Sequence, residues 1–163
     1  MARVRKNVWK LKATDKTLFW YEKAVTAMKA KPIADPTSWR YQGAIHEYNR
    51  ADDPFRSPTD VIPSSAEQKK YWNQCQHGSW YFLSWHRMYL HHFEAMVAAE
   101  VTIAGGPSDW ALPYWNYSDK SDANARLLPT AFRAKFKADG TENALFVEKR
   151  VDECNAGQEF ADD

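Results

Sequence analysis

An excess of one charge is missing from this chain: 22 lysines and arginines stand against 21 aspartates and glutamates in 163 residues. No strong field exists to draw in nucleic acid or anionic lipid, so a polyanionic partner is not expected. Long apolar runs are missing too. Nothing approaches the ~18 apolar residues a transmembrane helix needs, and the basic opening MARVRKNVWKLK lacks the following apolar stretch of about 7–15 residues that marks an export signal. The chain therefore reads as soluble and, by default, cytoplasmic, with export through a separate leader or carrier left open. Cysteine is scarce: Cys75 and Cys154 suffice for one disulfide but define no redox compartment. Internal repeats and low-complexity tracts are absent.

What is present is aromatic. Phe, Trp and Tyr make up 15% of the residues, while 26% are charged and the mean hydropathy is −0.69. That combination implies a bulky interior under a wet surface. A chain of this length buries roughly 68–70% of its unfolded surface, enough for one domain with a real core.

Apolar periodicity predicts a helix over Asp15 to Lys31, where Leu18, Tyr21, Val25 and Met28 recur at three- and four-residue steps behind a Thr14 or Asp15 cap, with Pro32 as the stop. A second helix is expected over Thr37 to Asn49, entered through Asp35-Pro36. Three prolines among polar residues make Arg50 to Ser65 a loop, read as lying over a pocket. The longest helix is expected from about Ser79 to Ala104, closed by Gly105-Gly106-Pro107, and its apolar character on most sides predicts burial. Structure thins after Tyr117, with a short helix over Pro129 to Lys137 and an acidic, poorly structured end.

Four of the five histidines fall in CQHGSWYFLSWHRMYLHHFE, residues 75–94. At about 100° per residue, Phe82, Leu90, Phe93 and Val97 lie within about 40° of His86, which therefore faces an apolar stripe. His91 and His92 point elsewhere and read as surface residues or as groups behind the ligands. In the second helix, Trp39, Gly43 and His46 are spaced i, i+4, i+7, placing His46 on a packed face with a glycine that would permit close approach. His77 cannot share one helix face with His86, so the helix must start after it, with Ser79 as cap. His46, His77 and His86 can then converge, and an all-imidazole set leans toward copper or zinc. Core histidines satisfied by hydrogen bonds, a structural zinc site using Cys75, His77 and His86, and a Cys75–Cys154 disulfide are the alternatives that spacing leaves open.

The stretch from Cys75 to Glu94, preceded by Ala44-Ile45-His46 and followed by Leu112-Pro113-Tyr114-Trp115-Asn116-Tyr117, resembles the first copper site of tyrosinases. These are type-3 copper proteins, grouped with catechol oxidases and molluscan-type haemocyanins, and the long bacterial tyrosinases look nearest. The resemblance covers roughly residues 3 to 150. It implies a mainly α fold: part of an antiparallel helical bundle with long loops and a binuclear copper site in its core, incomplete in this chain. It makes His46, His77 and His86 the ligands of the first copper, CuA. It also implies a thioether bond between Cys75 and His77, preferred over the disulfide, and makes Glu94 and Asn116 groups that orient a ligand histidine.

One departure from the family pattern is large. A type-3 site needs three more histidines for CuB, two of them as H-x-x-x-H, and this chain has only five in all. Residues 1–163 are therefore expected to be the CuA portion of a catalytic domain whose CuB portion lies on a second polypeptide or a cleaved segment. The implied activity is copper-dependent oxidation of phenols, o-diphenols or o-aminophenols to o-quinones, with O2 as co-substrate. The other readings are a haemocyanin-like O2-binding module and a non-catalytic mononuclear copper or zinc domain.

Overall fold

The computed structural model describes residues 3–148, 150 and 154–159. Half of the acidic end expected to lack structure, residues 152–153 and 160–163, lies outside them. Four helices carry the fold: α1 (Thr17–Ala30), α2 (Trp39–His46), α3 (Ser65–Tyr71) and α4 (Phe82–Ile103). Among the described residues there are isolated β-bridges and no named strand, and no helix is long and apolar enough to cross a membrane.

The helix boundaries follow from local capping chemistry. Asp15 Oδ1 accepts from the Thr17 amide at 2.8 Å, which starts α1 two residues after Asp15. At α2 the structure corrects the expected start: Asp35 is occupied with the amide and hydroxyl of Thr37, and Ser38 is the cap, accepting from the Tyr41 amide at 3.0 Å. Its far end is also earlier than expected. Glu47 turns extended, so His46 is the last residue of the helix.

Sequence reading missed α3, although Ser64-x-x-Glu67 is a capping-box pattern and Ser64 Oγ accepts from the Glu67 amide at 3.3 Å. The helix start expected near Ser79 is a turn first. Ser79 accepts from the Phe82 amide through its carbonyl, and α4 proper begins there. Gly105, at φ +85°, ends α4 by allowing the Gly106 amide to reach back to the Val101 carbonyl at 2.8 Å. The short helix expected over 129–137 is a single 3-10 turn, Thr130–Phe132.

The chain forms two compact units, residues 25–100 and the remainder. In the remainder, the Val8 amide donates to the Tyr114 carbonyl and the Tyr114 amide to the Lys6 carbonyl, tying the first residues to the Pro113-Tyr114-Trp115 segment. Trp110 is buried and its indole N–H donates to the Thr17 carbonyl, while that of Trp115 donates to the Ala125 carbonyl. In both of these indoles the single donor is satisfied.

The unit formed by residues 25–100 has a core of Ile33, Tyr41, Ala44 and Trp72, packed by Ile45, Tyr48 and Ile62. Tyr41 meets Trp72 edge-on at 5.7 Å, so the residue that ends α3 is locked against α2. Along α4, Trp85, Tyr89 and Phe93 stack at four-residue steps, and Trp39 of α2 packs on Phe93 at 5.8 Å. The loop after α2 is held by Arg40, whose guanidinium bonds both Asp53 and Asp60. It borders a cavity of about 390 Å³ whose lining includes Trp39, Arg40, Glu47, Tyr48 and Phe55.

The expected burial of α4 is corrected. Its leading turns and the turn before them are bare: Trp80 is 100% exposed, Leu83 77% and Met88 54%. Full burial holds only further along, at Val97, Ala98 and Val101. The apolar surface is there as expected, but among the described residues nothing covers it. Gly43 is corrected too: it is exposed and a Cβ there would meet nothing within 4 Å.

Candidate metal centre

All four residues of interest lie in the unit formed by residues 25–100, and three different local structures deliver them. His46 is the last residue of α2. His86 stands in the second turn of α4, at the edge of its packed side, because the aromatic ladder Trp85–Tyr89–Phe93 occupies the centre. The inward stripe expected beside it holds only in part: Phe93 packs on Trp39 and Val97 is fully buried, while Phe82 and Leu90 are exposed. His77 comes from the loop between α3 and α4.

That loop is aimed by backbone pairing. The amides of Asn73 and Gln74 donate to the carbonyls of Ala44 and Ile45, both at 2.9 Å, so the chain leaving α3 docks on the open end of α2. Those carbonyls are among the last four of a helix, which lack intrahelical partners. Asn73 sits at φ +56°, a conformation that asparagine tolerates better than most residues, and its Oδ1 accepts from the Tyr48 amide at 2.6 Å. Gly78, at φ +64°, turns the chain toward α4 immediately after His77.

The three imidazoles meet as the spacing suggested. Ring centroids are 5.5 Å apart for His46–His77 and His46–His86, and 5.7 Å for His77–His86. Cys75 Sγ lies 3.1 Å from His46 Nε2, 3.2 Å from His77 Nε2 and 3.3 Å from His86 Nε2. The four donor atoms lie within 4.8 Å of one another. His86 Nδ1 is 2.7 Å from the Phe82 carbonyl oxygen, which can only accept. The proton is thus on Nδ1, leaving Nε2 free as a ligand.

Burial and the neighbouring imidazole charges hold His46 below its ordinary pKa, which keeps the ring in the neutral form a metal requires. Burial, with Glu47 nearby, pushes the Cys75 thiol up. Trp85 and Tyr89 wall the His46 ring at 5.9 and 6.2 Å. Tyr89 donates to the Gln42 carbonyl at 2.8 Å, and burial pushes its phenol up to about 12.

Other sequence expectations are placed as follows. Both cysteines are free thiols, and Cys154 is buried. His91 and His92 are exposed and meet each other at 5.3 Å, away from the triad. Glu94 is two turns beyond His86 on α4, about 12 Å along the axis, and Asn116 Oδ1 accepts from the Ser118 hydroxyl. Sequence reasoning offered Cys75 as a partner of His77, of His77 with His86, or of Cys154, and never of His46. That its sulfur touches all three rings was missed, because it depends on the docking of residues 73–74 onto α2.

An imidazole triad with one tautomer already set suits a late first-row transition metal. Residues 36–162 match the model of the common central domain of tyrosinase. The chain belongs to the tyrosinase family. It is 50% identical over 127 residues to the tyrosinase HcTyr1 of Hahella sp. (strain CCB-MM4), an alignment that covers 76% of this chain and 27% of that protein. To the chloroplastic polyphenol oxidase of Spinacia oleracea it is 29% identical over 132 residues, 80% of this chain and 18% of that one. A tyrosinase structure from Burkholderia thailandensis superposes with a TM-score of 0.59 at 27% identity, over 88% of this chain and 27% of its own. A latent aurone synthase (polyphenol oxidase) gives 0.63 at 25% identity, over 97% and 27%.

The chain therefore spans about a quarter or less of the relatives it matches. Copper is the metal of this family, and the triad of this chain fits it by donor type and by convergence.

Proposed function

We propose that this chain is the CuA portion of a phenol-oxidising tyrosinase, with His46, His77 and His86 as the ligands of one copper and the CuB ligands on a second polypeptide or cleaved segment. The observation that supports it most is the pairing of a converged imidazole triad with bare apolar surface on the same helix. His86 and the exposed Leu83 and Met88 all belong to α4. A helix that presents large apolar groups beside a metal triad is built to be covered.

Copper, when a pair is bound, supplies the electron transfer by which O2 oxidises a phenol or o-diphenol to an o-quinone. The residues of this chain position that chemistry. The Phe82 carbonyl fixes the tautomer and ring angle of His86, Trp85 and Tyr89 limit the swing of His46, and the Asn73–Tyr48 contact anchors the loop that carries His77. An open cavity of about 440 Å³, lined by Gln74, Gln76, Tyr81, Ser84, Trp85 and Met88, has the aromatic wall a phenolic ring would stack on.

The reading includes a Cys75–His77 thioether in the completed enzyme. Forming it replaces the thiol S–H and a ring C–H by one C–S bond, and O2 takes up the two electrons and two protons. Glu94 and Asn116 are included as groups that orient ligand imidazoles, their partners lying on either portion of the site. L-DOPA oxidation, followed as quinone formation, tests the reading. It is expected only when the copper-loaded chain is combined with the CuB-bearing segment, and turnover by this chain alone would overturn it.

A further inference from the structure

The position of Cys75 has a use that phenol oxidation does not require. Its sulfur is not directed at one histidine; it lies nearly equidistant from all three Nε2 atoms at 3.1–3.3 Å. A four-coordinate centre with metal–nitrogen bonds of about 2.0–2.1 Å and a metal–sulfur bond of about 2.3 Å, at tetrahedral angles, separates sulfur from each nitrogen by about 3.5 Å. The observed separations come within a few tenths of an ångström of that figure. The backbone that sets them is held independently of any metal, by the 2.9 Å bonds from Asn73 and Gln74 to the end of α2.

We infer that Cys75 is a fourth ligand, so that this chain without its complement holds a d10 cation, Cu(I) or Zn(II), in a closed site of three imidazole nitrogens and one sulfur. The inference rests on the reading that the triad binds metal, and adds a regulatory consequence to it. Thiolate and imidazole together favour a soft or borderline d10 ion. Four protein ligands leave no position for O2 or substrate, which distinguishes structural from catalytic coordination. The sulfur therefore caps the half-site and keeps a redox-active ion from reacting before the second copper arrives. Completing the enzyme requires Cys75 to leave the metal, and bond formation to the His77 ring is one way to make that departure permanent.

The test uses the whole chain, purified under reducing and anaerobic conditions, its intact mass checked, and titrated with Co(II) as a visible-spectrum probe of the d10 site. One equivalent should bind with a sulfur-to-metal charge-transfer band. Cys154→Ser should keep that band, because the residue is buried outside the unit that carries the triad. Cys75→Ser should lose it and bind Co(II) at least about tenfold more weakly, the lower scale for groups that merely orient ligands. Binding of one equivalent with no sulfur band and no effect of Cys75→Ser would overturn the capping role and leave the triad intact. A mass two hydrogens short in the purified chain would overturn it equally, since a thioether sulfur is no thiolate. No binding by any form would overturn the triad itself.

Discussion

His86 Nδ1 donates to the Phe82 carbonyl oxygen at 2.7 Å, one turn back on the same helix. The bond uses up the nitrogen facing the backbone and leaves Nε2 as the lone-pair donor, so the helix itself selects the tautomer that the proposed copper ligand needs. The substitution His86→Gln should abolish tight copper binding while leaving the thermal midpoint of the metal-free chain nearly unchanged, since His86 is only half-buried. Metal analysis after desalting, together with a melting curve, checks both halves of that expectation.

Asn73 provides a test of how the loop is aimed. Asn73→Val places a β-branched residue at φ +56° and removes the acceptor of the Tyr48 amide. Strain of about 1–3 kcal/mol and roughly 1 kcal/mol for the hydrogen bond should together lower stability by about 2–4 kcal/mol. Asn73→Gly loses only the hydrogen bond and should cost about 1 kcal/mol. Denaturant unfolding of the two variants separates strain from bonding, and a Val variant as stable as the Gly variant would refute the strain argument.

Bare apolar surface at the start of α4 leads to a different expectation. Trp80 is fully exposed, so Trp80→Ser should change the stability of this chain by less than about 0.5 kcal/mol. The same substitution should weaken association with the CuB-bearing segment, read as a higher concentration needed for half-maximal L-DOPA oxidation. A variant that unfolds the isolated chain would show that the side chain is already packed.

The Arg40 cluster governs acid sensitivity. Hydrogen bonding to Arg40 and to the Ser57 amide holds the Asp60 carboxyl well below the usual carboxylate range. A depressed folded-state pKa stabilises the fold above the unfolded value of about 3.9 and loses that contribution as pH falls toward the folded value. The wild-type chain should therefore lose stability steeply below about pH 4. Arg40→Met should start less stable at neutral pH and show a shallower acid dependence in melting curves taken across that range.

Much of this site was legible in the sequence because it depends on helical phase and stop signals. That His46, His77 and His86 can converge was readable from helical spacing and from the break after His77, although Phe82 and Leu90 beside His86 are exposed and Gly43 meets nothing. What the sequence hid depends on tertiary docking or on missing partners. The start of α2 moved from Thr37 to Trp39 because Asp35 captures Thr37 and Ser38 becomes the cap. The exposure of Trp80 and Leu83 was hidden because apolar patterning reports what a helix can bury, not whether this chain supplies the cover. The reach of Cys75 to all three rings came from two backbone hydrogen bonds made by Asn73 and Gln74 to a helix end, contacts that no periodicity encodes.

The most direct test is the copper content of the chain after anaerobic loading with Cu(I) and removal of unbound metal. One copper per chain, lost in His46→Ala, His77→Ala and His86→Ala alike, is the expected result. Two coppers per chain, or one that survives those substitutions, would contradict the assignment of this triad as a single half-site.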